Sequence, residues 1–497
     1  MHMTNRLFTL FLLALLLTGG KALADTPLQA DTPPQLVVMV NIDQLRNDCL
    51  QRFAPHFRDR GFRRLMDRGQ VFQHADYPFR PLDRASAIAA VASGTTPYYN
   101  SIVGQRWLSR ETLRPVACTD DDRHAGLGTT DKASPAAMAV STLTDELKVA
   151  TDGLAKVFAI AAQCDAAILS GGHAADGAFW IDDATGQWCS SQYYGKKLPQ
   201  WLRDHNKTQA PALKAEGTDP QRHTLYKQGW HANADVTNLA QQCIVSNALG
   251  TDETPDLLCL TYQAAGATAV KSQADLQETY IRLDHELGRL IDHAERWVGA
   301  GKVLFVVTGT GYSFEEEPDY EKYRIPSGTF YIDRTAGLLN MYLGAVWGQE
   351  KYVEATYGNQ IFLNRKLLEA KKISLAEATD KAKELVVMMS GVKQVFTPLQ
   401  LLANHDAYVQ TMRNGFNADR CGDLLIEVAP GWRVLNEDGS PTGLPTAADA
   451  QFPIVFYGAG LPAGVNTHPA SALAIAPTLA RLLHIRKPNA STAAPLF

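Results

Sequence analysis

Five short runs of almost uninterrupted apolar residues constrain the fold of this chain more than any other feature. Runs of this length are typical of strands buried on both faces, as in parallel sheets that are covered by helices. The runs are Leu36–Ile42, Val157–Ile160, Leu257–Thr261, Val303–Thr308 and Pro453–Tyr457.

Segments with helical periodicity lie between these runs. Residues 277–298 form the clearest one, with Ile281, Leu287 and Leu290 on a single apolar face; residues 367–387 and 474–483 are also predicted to be helical. Strands alternating with helices predict an α/β fold with a mostly parallel central sheet flanked by helices. Residues 313–430 interrupt the alternation. We interpret them as a cap subdomain inserted between two core segments, 35–312 and 431–497.

Composition and charge exclude some partners. The 497 residues are 45% hydrophobic and 20% charged, and the net charge is only -5. Without a basic stripe, nucleic acid is not an expected partner. None of the seven cysteines forms a Cys-x-x-Cys pair, and Cys259 lies inside an apolar run, which predicts a buried free thiol.

The first 24 residues have the pattern of a secretory signal peptide. A positively charged start is followed by an apolar stretch from Leu7 to Leu17 and by the small-x-small sequence Ala22-Leu23-Ala24. The stretch is shorter than the roughly 20 residues that span a bilayer, so we expect no transmembrane segment in the mature chain. The sequence thus predicts a periplasmic or secreted protein that starts near Asp25, with residues 25–34 as a linker.

The residues at the ends of the predicted strands indicate where a ligand would bind, since ligands of α/β sheets lie outside the carboxyl ends of the strands. A few acids and no histidine stand there, which is too little for a site with two metal ions. These residues are Asp43, Gln163, Asp165, Gln263 and Thr310, with Gln451 before the fifth strand.

Several motifs together resemble the alkaline phosphatase superfamily, in particular its PafA-like periplasmic branch, over nearly the whole mature chain. The resemblance implies an enzyme with a threonine nucleophile and two zinc ions. It rests on Val40–Arg46, Ser93–Pro97, Ile102–Gly104, Ile168–His173, Tyr280–Asp284, Gly422–Glu427, Phe456–Gly460 and Ile475–Ala480.

The same resemblance implies that the phosphatase site has been lost. The nucleophile falls on Arg84, which cannot act as one because its pKa is too high. The asparagine, lysine and arginine that hold the phosphoryl group fall on Gln105, Gln163 and Asp165. Of the metal ligands only the first aspartate is kept, as Asp43. The others fall on Gln263 and Ala267, on Thr310 and Gly311, and on Gln451.

Two interpretations of Arg84 follow from its charge. It could anchor an anionic ligand, but we favour an ion pair with Asp43, Asp83 or Asp165, since an unpaired buried charge is costly.

Glu315–Glu317 could offer replacement metal ligands, although an acidic loop in solvent is the simpler explanation. His173 is expected to have a structural role.

We therefore predict a catalytically degenerate member of the superfamily in the cell envelope, with no zinc cofactor. Its cleft residues would serve binding or assembly, with an unknown protein or an anionic or glycan ligand as partner. The alternative is a metal-dependent phosphate or sulfate ester hydrolase with relocated ligands. An accessory subunit of an active relative is a third possibility.

Overall fold

The computed structural model describes residues 32–214, 222–264, 272–314, 320, 322–442 and 448–497. The predicted signal peptide and most of the linker lie outside these ranges, so both stay predictions. Within the described part of the chain, the strands are β1 (Leu36–Asp43), β2 (Gln70–Asp76), β3 (Arg106–Leu108), β4 (Pro115–Ala117), β5 (Gly126–Leu127), β6 (Val157–Ala161), β7 (Gly177–Ile181), β8 (Trp188–Ser191), β9 (Asp256–Gln263), β10 (Val303–Gly309), β11 (Tyr312–Ser313), β12 (Gly328–Tyr331), β13 (Val353–Tyr357), β14 (Gln360–Leu363), β15 (Val392–Phe396), β16 (Leu424–Val428), β17 (Trp432–Leu435), β18 (Ala448–Asp449), β19 (Phe452–Gly458) and β20 (Gly464–Ser471).

Helices accompany these strands in the described part of the chain. They are Asn47–Phe53, Phe62–Arg68, Arg84–Ser93, Pro97–Asn100, Leu143–Ala150, Cys164–Gly171, Gln200–Lys214, Arg222–Gln228, His231–Ser246, Gln273–Val298, Ile332–Trp347, Arg365–Ala370, Leu375–Val386, Pro398–Ala403, Ala407–Asn414 and Ile475–Leu482. None of the helices in the described ranges is long and apolar enough to cross a membrane.

The central sheet has ten strands in the order β20-β2-β19-β10-β1-β9-β6-β7-β8-β5. Strands β10, β1, β9, β6 and β7 are parallel, whereas β19 and β8 run antiparallel to β10 and β7. This arrangement confirms the predicted α/β fold with a mostly parallel sheet. All eight residues of β1 are buried, because the strand lies in the middle of the sheet with helices on both faces.

Side chains of β1 alternate between two apolar clusters, one on each face of the sheet. Val37 and Met39 join the cluster that contains the Arg84–Ser93 helix, and Val38 and Val40 join the other. By the same alternation Asp43 points to the face of the Arg84–Ser93 helix. That helix consists mostly of small buried residues, so its first turn approaches Asp43 closely.

A second, smaller sheet lies in the region predicted to be a cap. It has the order β13-β14-β16-β15 with antiparallel pairing, and the helices Ile332–Trp347 and Leu375–Val386 share its apolar cluster. Strand β12 pairs with β17. This pairing joins the chain on both sides of residue 430, the predicted end of the cap, so the smaller unit extends to Leu435.

One predicted helix is interrupted. Residues 367–387 fall into two helices, Arg365–Ala370 and Leu375–Val386. Lys372 between them has a φ of +59°, which ends the first helix, and the side chain of Ser374 caps the second by accepting from the backbone N–H of Glu377. The single-helix prediction was wrong because the apolar periodicity continues across this turn.

Buried ion pairs and hydrogen bonds attach the cap to the core. The guanidinium of Arg420 donates to the carbonyl oxygens of Ser101 and Ala137, the latter at 2.7 Å. Arg110 of the core contacts Asp423 of the cap at 3.1 Å. These contacts hold the cap above the carboxyl edge of the central sheet, where the predicted site lies.

Candidate ligand-binding site

A cleft of about 470 Å3 opens at the carboxyl edge of the sheet. Asp43 ends β1 beside Gln263 at the end of β9, and Gln163 and Asp165 begin the helix that follows β6. Arg84 enters the cleft as the first residue of its helix. The volume is in the range of pockets that bury a small organic ligand, about 300–1,000 Å3.

Arg84 joins two carboxylates on the floor of this cleft. Its Nη1 donates to Asp43 Oδ2 at 3.4 Å, and its Nη2 and Nε donate to the two carboxylate oxygens of Asp165 at 3.0 and 3.2 Å. The Arg84 side chain is only 14% exposed. These contacts confirm the expected pairing with Asp43 and Asp165. Asp83 has another role, since it caps the Arg84–Ser93 helix and accepts from the backbone N–H of Gln105.

Burial and pairing determine the charges of this group. Burial raises the pKa of Asp43 above its usual value of 3.8, while Arg84 and hydrogen bonds from Tyr312 and Thr310 oppose the rise. Burial lowers the pKa of Arg84, but the attraction of Asp165 and Asp43 outweighs it, and the net pKa is raised. Arg84 is therefore always charged, and its charge is already compensated by the two acids.

Glutamine side chains next to this network have fixed orientations. Gln105 Oε1 accepts from Arg84 Nη2 at 3.2 Å. Gln163 Nε2 donates to the carbonyl oxygen of Lys227 at 2.7 Å, and Gln163 Oε1 accepts from Gln263 Nε2 at 3.1 Å. Both ends of the Gln163 amide are used in this way, but Gln105 and Gln263 use one end each, so the Gln105 Nε2 donor and the Gln263 Oε1 acceptor are left for the cleft.

Thr310 and Gln451, which the sequence predicts to be cleft residues, do not line the cleft. Thr310 is 1% exposed and lies behind Asp43, to which its Oγ1 donates at 2.9 Å. Gln451 is exposed, and its carbonyl oxygen accepts from Asn47. Phe452 points into the core, so alternation turns Gln451 away from it. For these two residues the prediction was wrong.

Several lining residues were not predicted. Trp107 and Tyr357 add aromatic surface to the cleft, and Gln360 adds a further amide. Tyr357 and Gln360 lie in the hairpin of β13 and β14 in the cap, far along the chain from Asp43. No local pattern connects them with the strand ends. Trp107 is two residues from Gln105, and this proximity is the one signal that could have identified it.

The described residues of the cleft do not fit a centre with two zinc ions. Such a centre needs several imidazole or carboxylate ligands, and no group of three or more His, Cys, Asp or Glu suited to a metal occurs in the described ranges. A cation bound at Asp43 would also meet the positive guanidinium 3.4 Å from the carboxylate. Ala267 and Glu315–Glu317, considered above as metal positions, lie outside the described residues.

His173 and Cys259 have the structural roles that the sequence predicts. His173 Nδ1 lies 2.9 Å from Asp145 Oδ2 and its Nε2 lies 3.1 Å from the carbonyl oxygen of Met138. This contact with Asp145 raises the pKa of His173. Cys259 is a buried free thiol.

Comparison with known proteins establishes the family. The family model of type I phosphodiesterase / nucleotide pyrophosphatase matches residues 37–452. The chain belongs to this family. Alkaline phosphatase PafA of Elizabethkingia meningoseptica is 26% identical over 93% of the chain and 94% of its own length. Alkaline phosphatase PhoV of Synechococcus elongatus is 26% identical over 92% and 91%.

Solved structures agree with this assignment. The crystal structure of wild-type PafA superimposes with a TM-score of 0.81 at 25% identity, covering 93% of this chain and 98% of that one. A PafA variant with one threonine, one asparagine, one lysine and one arginine replaced gives a TM-score of 0.82 at the same identity and coverage. The predicted superfamily is confirmed. The loss of the catalytic residues stays a prediction, which these comparisons do not test.

Proposed function

We propose that this family member binds a ligand in its cleft, in the cell envelope, and does not hydrolyse it with the two zinc ions of the alkaline phosphatases. The observation that carries the proposal is the pairing of Arg84 with both Asp43 and Asp165. A guanidinium supplies the positive charge between these carboxylates. Asp43 is the position that the family resemblance assigns to a metal ligand.

The spacing of residues supports the correspondence with the phosphatase. The threonine and the asparagine replaced in the PafA variant are as far apart along its chain as Arg84 and Gln105 are here. The replaced lysine and arginine are separated by one residue, as Gln163 and Asp165 are. If these positions correspond, Arg84 occupies the position of the phosphatase threonine. Asp165, an acidic residue, occupies the position of the phosphatase arginine.

A metal-dependent phosphate ester hydrolase is the second candidate. Kinship favours it over the first, because the two relatives described above are named alkaline phosphatases and match more than nine tenths of the chain. It requires metal ligands other than the residues around Asp43. Segment 315–319, which follows Phe314 in the sequence and contains Glu315, Glu316, Glu317 and Asp319, could supply them.

Zinc content and phosphatase activity separate the two candidates. The purified chain is loaded with zinc, dialysed against metal-free buffer and analysed for metal by elemental mass spectrometry. Hydrolysis of p-nitrophenyl phosphate is then measured with and without added zinc. PafA treated in the same way is the positive control. We expect no retained zinc and no turnover above the buffer rate. Retained zinc together with chelator-sensitive turnover would establish the hydrolase instead.

A further inference from the structure

We infer that the cleft binds an uncharged, polyhydroxylated compound, such as a sugar residue, and not a phosphate ester. The inference rests on the proposed function and specifies its ligand. Three features of the cleft support it: the charge of its floor, the directions of its amide groups and its aromatic walls.

The charge of the floor is unfavourable for an anion. A guanidinium has five N–H donors, and four contacts of Arg84 already go to Asp43, Asp165 and Gln105. Arg84 therefore cannot offer a pair of parallel donors to a phosphate group. The single positive charge of Arg84 is paired with Asp43 and Asp165, so the floor has no net positive charge to attract a phosphate dianion.

The other cations of the cleft do not change this balance on the floor. Lys227 is itself paired, with its Nζ 2.9 Å from Asp183 Oδ1. Arg420 lies 4.4 Å above the ring of Trp107 and donates to two backbone carbonyls. Arg106 is exposed and donates to the carbonyl oxygen of Pro115. The last two could attract an anion to the mouth of the cleft, but they do not neutralise Asp43 and Asp165.

Uncharged donors and acceptors line the cleft between these charges. Gln105 Nε2 is left as a donor and Gln263 Oε1 as an acceptor, as described above. Gln360 Oε1 accepts from the backbone N–H of Gly422 at 2.6 Å, so its Nε2 is also left as a donor. A hydroxyl group both donates and accepts. A compound with several hydroxyl groups can therefore satisfy this mixed set, whereas a phosphate oxygen only accepts.

Aromatic side chains supply the apolar part of the recognition. Trp107, Phe314 and Tyr357 line the same cleft with partly exposed side chains, and Arg420 lies over one face of the Trp107 ring. Sugar rings present C–H groups on their faces and hydroxyl groups at their edges. A wall of aromatic rings beside directed amides matches both surfaces. The volume of about 470 Å3 accommodates one or two sugar rings.

The test is a binding experiment with defined probes. Glucose, galactose, N-acetylglucosamine, maltose and cellobiose are titrated into the full chain, beside inorganic phosphate and glucose 6-phosphate, and binding is followed by calorimetry. We expect saturable binding of at least one neutral saccharide. We expect glucose 6-phosphate and phosphate to bind at least about tenfold more weakly.

Variants assign any binding to the cleft. Trp107→Ala should weaken saccharide binding by at least about tenfold, and Trp297→Ala, at an exposed tryptophan outside the cleft, should leave it unchanged. If Trp107→Ala does not fold, Tyr357→Ala takes its place. Equal weakening by both tryptophan substitutions would overturn the assignment.

The remaining outcomes separate failure of this inference from failure of the proposed function. Binding of phosphate alone, or of a peptide digest alone, with no retained zinc would overturn the sugar inference and leave the non-hydrolytic proposal intact. If none of the saccharides binds, the sugar inference is also overturned and the non-hydrolytic proposal stays intact. Hydrolysis of glucose 6-phosphate with retained zinc would overturn both.

Discussion

At position 84 the chain places a permanent cation between two acidic side chains that are largely withdrawn from water. Replacing one partner of such a group leaves the others without a counter-charge, which in buried sites costs about 3–5 kcal/mol. The charge on Arg84 therefore matters for folding, apart from any role in binding.

We expect Arg84→Ala to lower the free energy of unfolding by about 3–5 kcal/mol, because Asp43 and Asp165 lose their common partner. Urea denaturation measures the change. Arg63→Ala is the matched control, since Arg63 pairs with Asp59 on the surface and such pairs contribute about 0–1 kcal/mol. Similar losses in the two variants would contradict the stabilising role of Arg84.

The loss of unfolding free energy caused by Arg84→Ala should depend on pH. Arg84 opposes the rise in the pKa of Asp43 that burial causes, so in the variant this pKa lies higher. A carboxyl group whose pKa is higher in the folded than in the unfolded chain stabilises the folded state at pH values below the unfolded-state pKa. This stabilisation is lost as the pH rises through the folded-state pKa. The difference in unfolding free energy between wild type and variant should be larger near pH 8 than near pH 5. An equal difference at both would argue against an ionised Asp43 in the network.

At the scale of the elements, one buried carboxylate, that of Asp423, stabilises the cap and its attachment to the core. Asp423 is 0% exposed and accepts from Arg110, from Arg365 at 2.7 Å and from the backbone N–H of Leu363 at 2.8 Å. It therefore connects β14 and β16 of the cap with a core arginine. The hairpin that carries Tyr357 and Gln360 into the cleft is held by the same strands.

We expect Asp423→Ala to destabilise the cap more than the core. Two arginines and one N–H lose their acceptor, at a cost of about 3–5 kcal/mol. Hydrogen exchange should become faster in β14 and β16, while β1 and β9 keep their protection. Asp438→Ala is the control, because Asp438 is exposed and its side chain contacts only its own turn. Uniform loss of protection across both sheets would show that the cap does not open separately.

At the scale of the whole molecule, the seven cysteines are all free, and six of them are buried. Burial raises the pKa of Cys421 to about 11, and it raises the pKa of Cys118 and Cys164 as well. Thiolates are the reactive form, so the folded chain should resist modification. Cys164, which is partly exposed beside the cleft, is the most accessible.

We therefore expect Ellman's reagent to modify at most Cys164 in the folded chain, and slowly. All seven thiols should react once guanidinium chloride unfolds it. Mass spectrometry after alkylation identifies the modified residues, and Cys164→Ser is the control for the folded-state reaction. Fewer than seven reactive thiols in the unfolded, unreduced chain would reveal a disulfide.

The sequence alone determined the sheet and the strand ends. Buried parallel strands need apolar residues on both faces, so runs such as Leu36–Ile42 can be recognised in the sequence without knowledge of the adjacent strands. The end of each run then identifies residues at one edge of the sheet, among them Asp43 and Gln263. The pairing of Arg84 with acidic residues was also predictable, since a buried cation without a counter-charge is costly.

Only the tertiary structure decided which of these residues share a cleft and what encloses it. Thr310 lies behind Asp43 and Gln451 faces away, because side-chain direction depends on local alternation that a motif position does not record. Tyr357 and Gln360 reach the cleft from a cap hairpin: Tyr357 lies 94 residues after Gln263 at the end of β9 and 314 residues after Asp43 at the end of β1. Contacts between such distant segments arise from packing of the cap on the core, and no spacing along the chain encodes them.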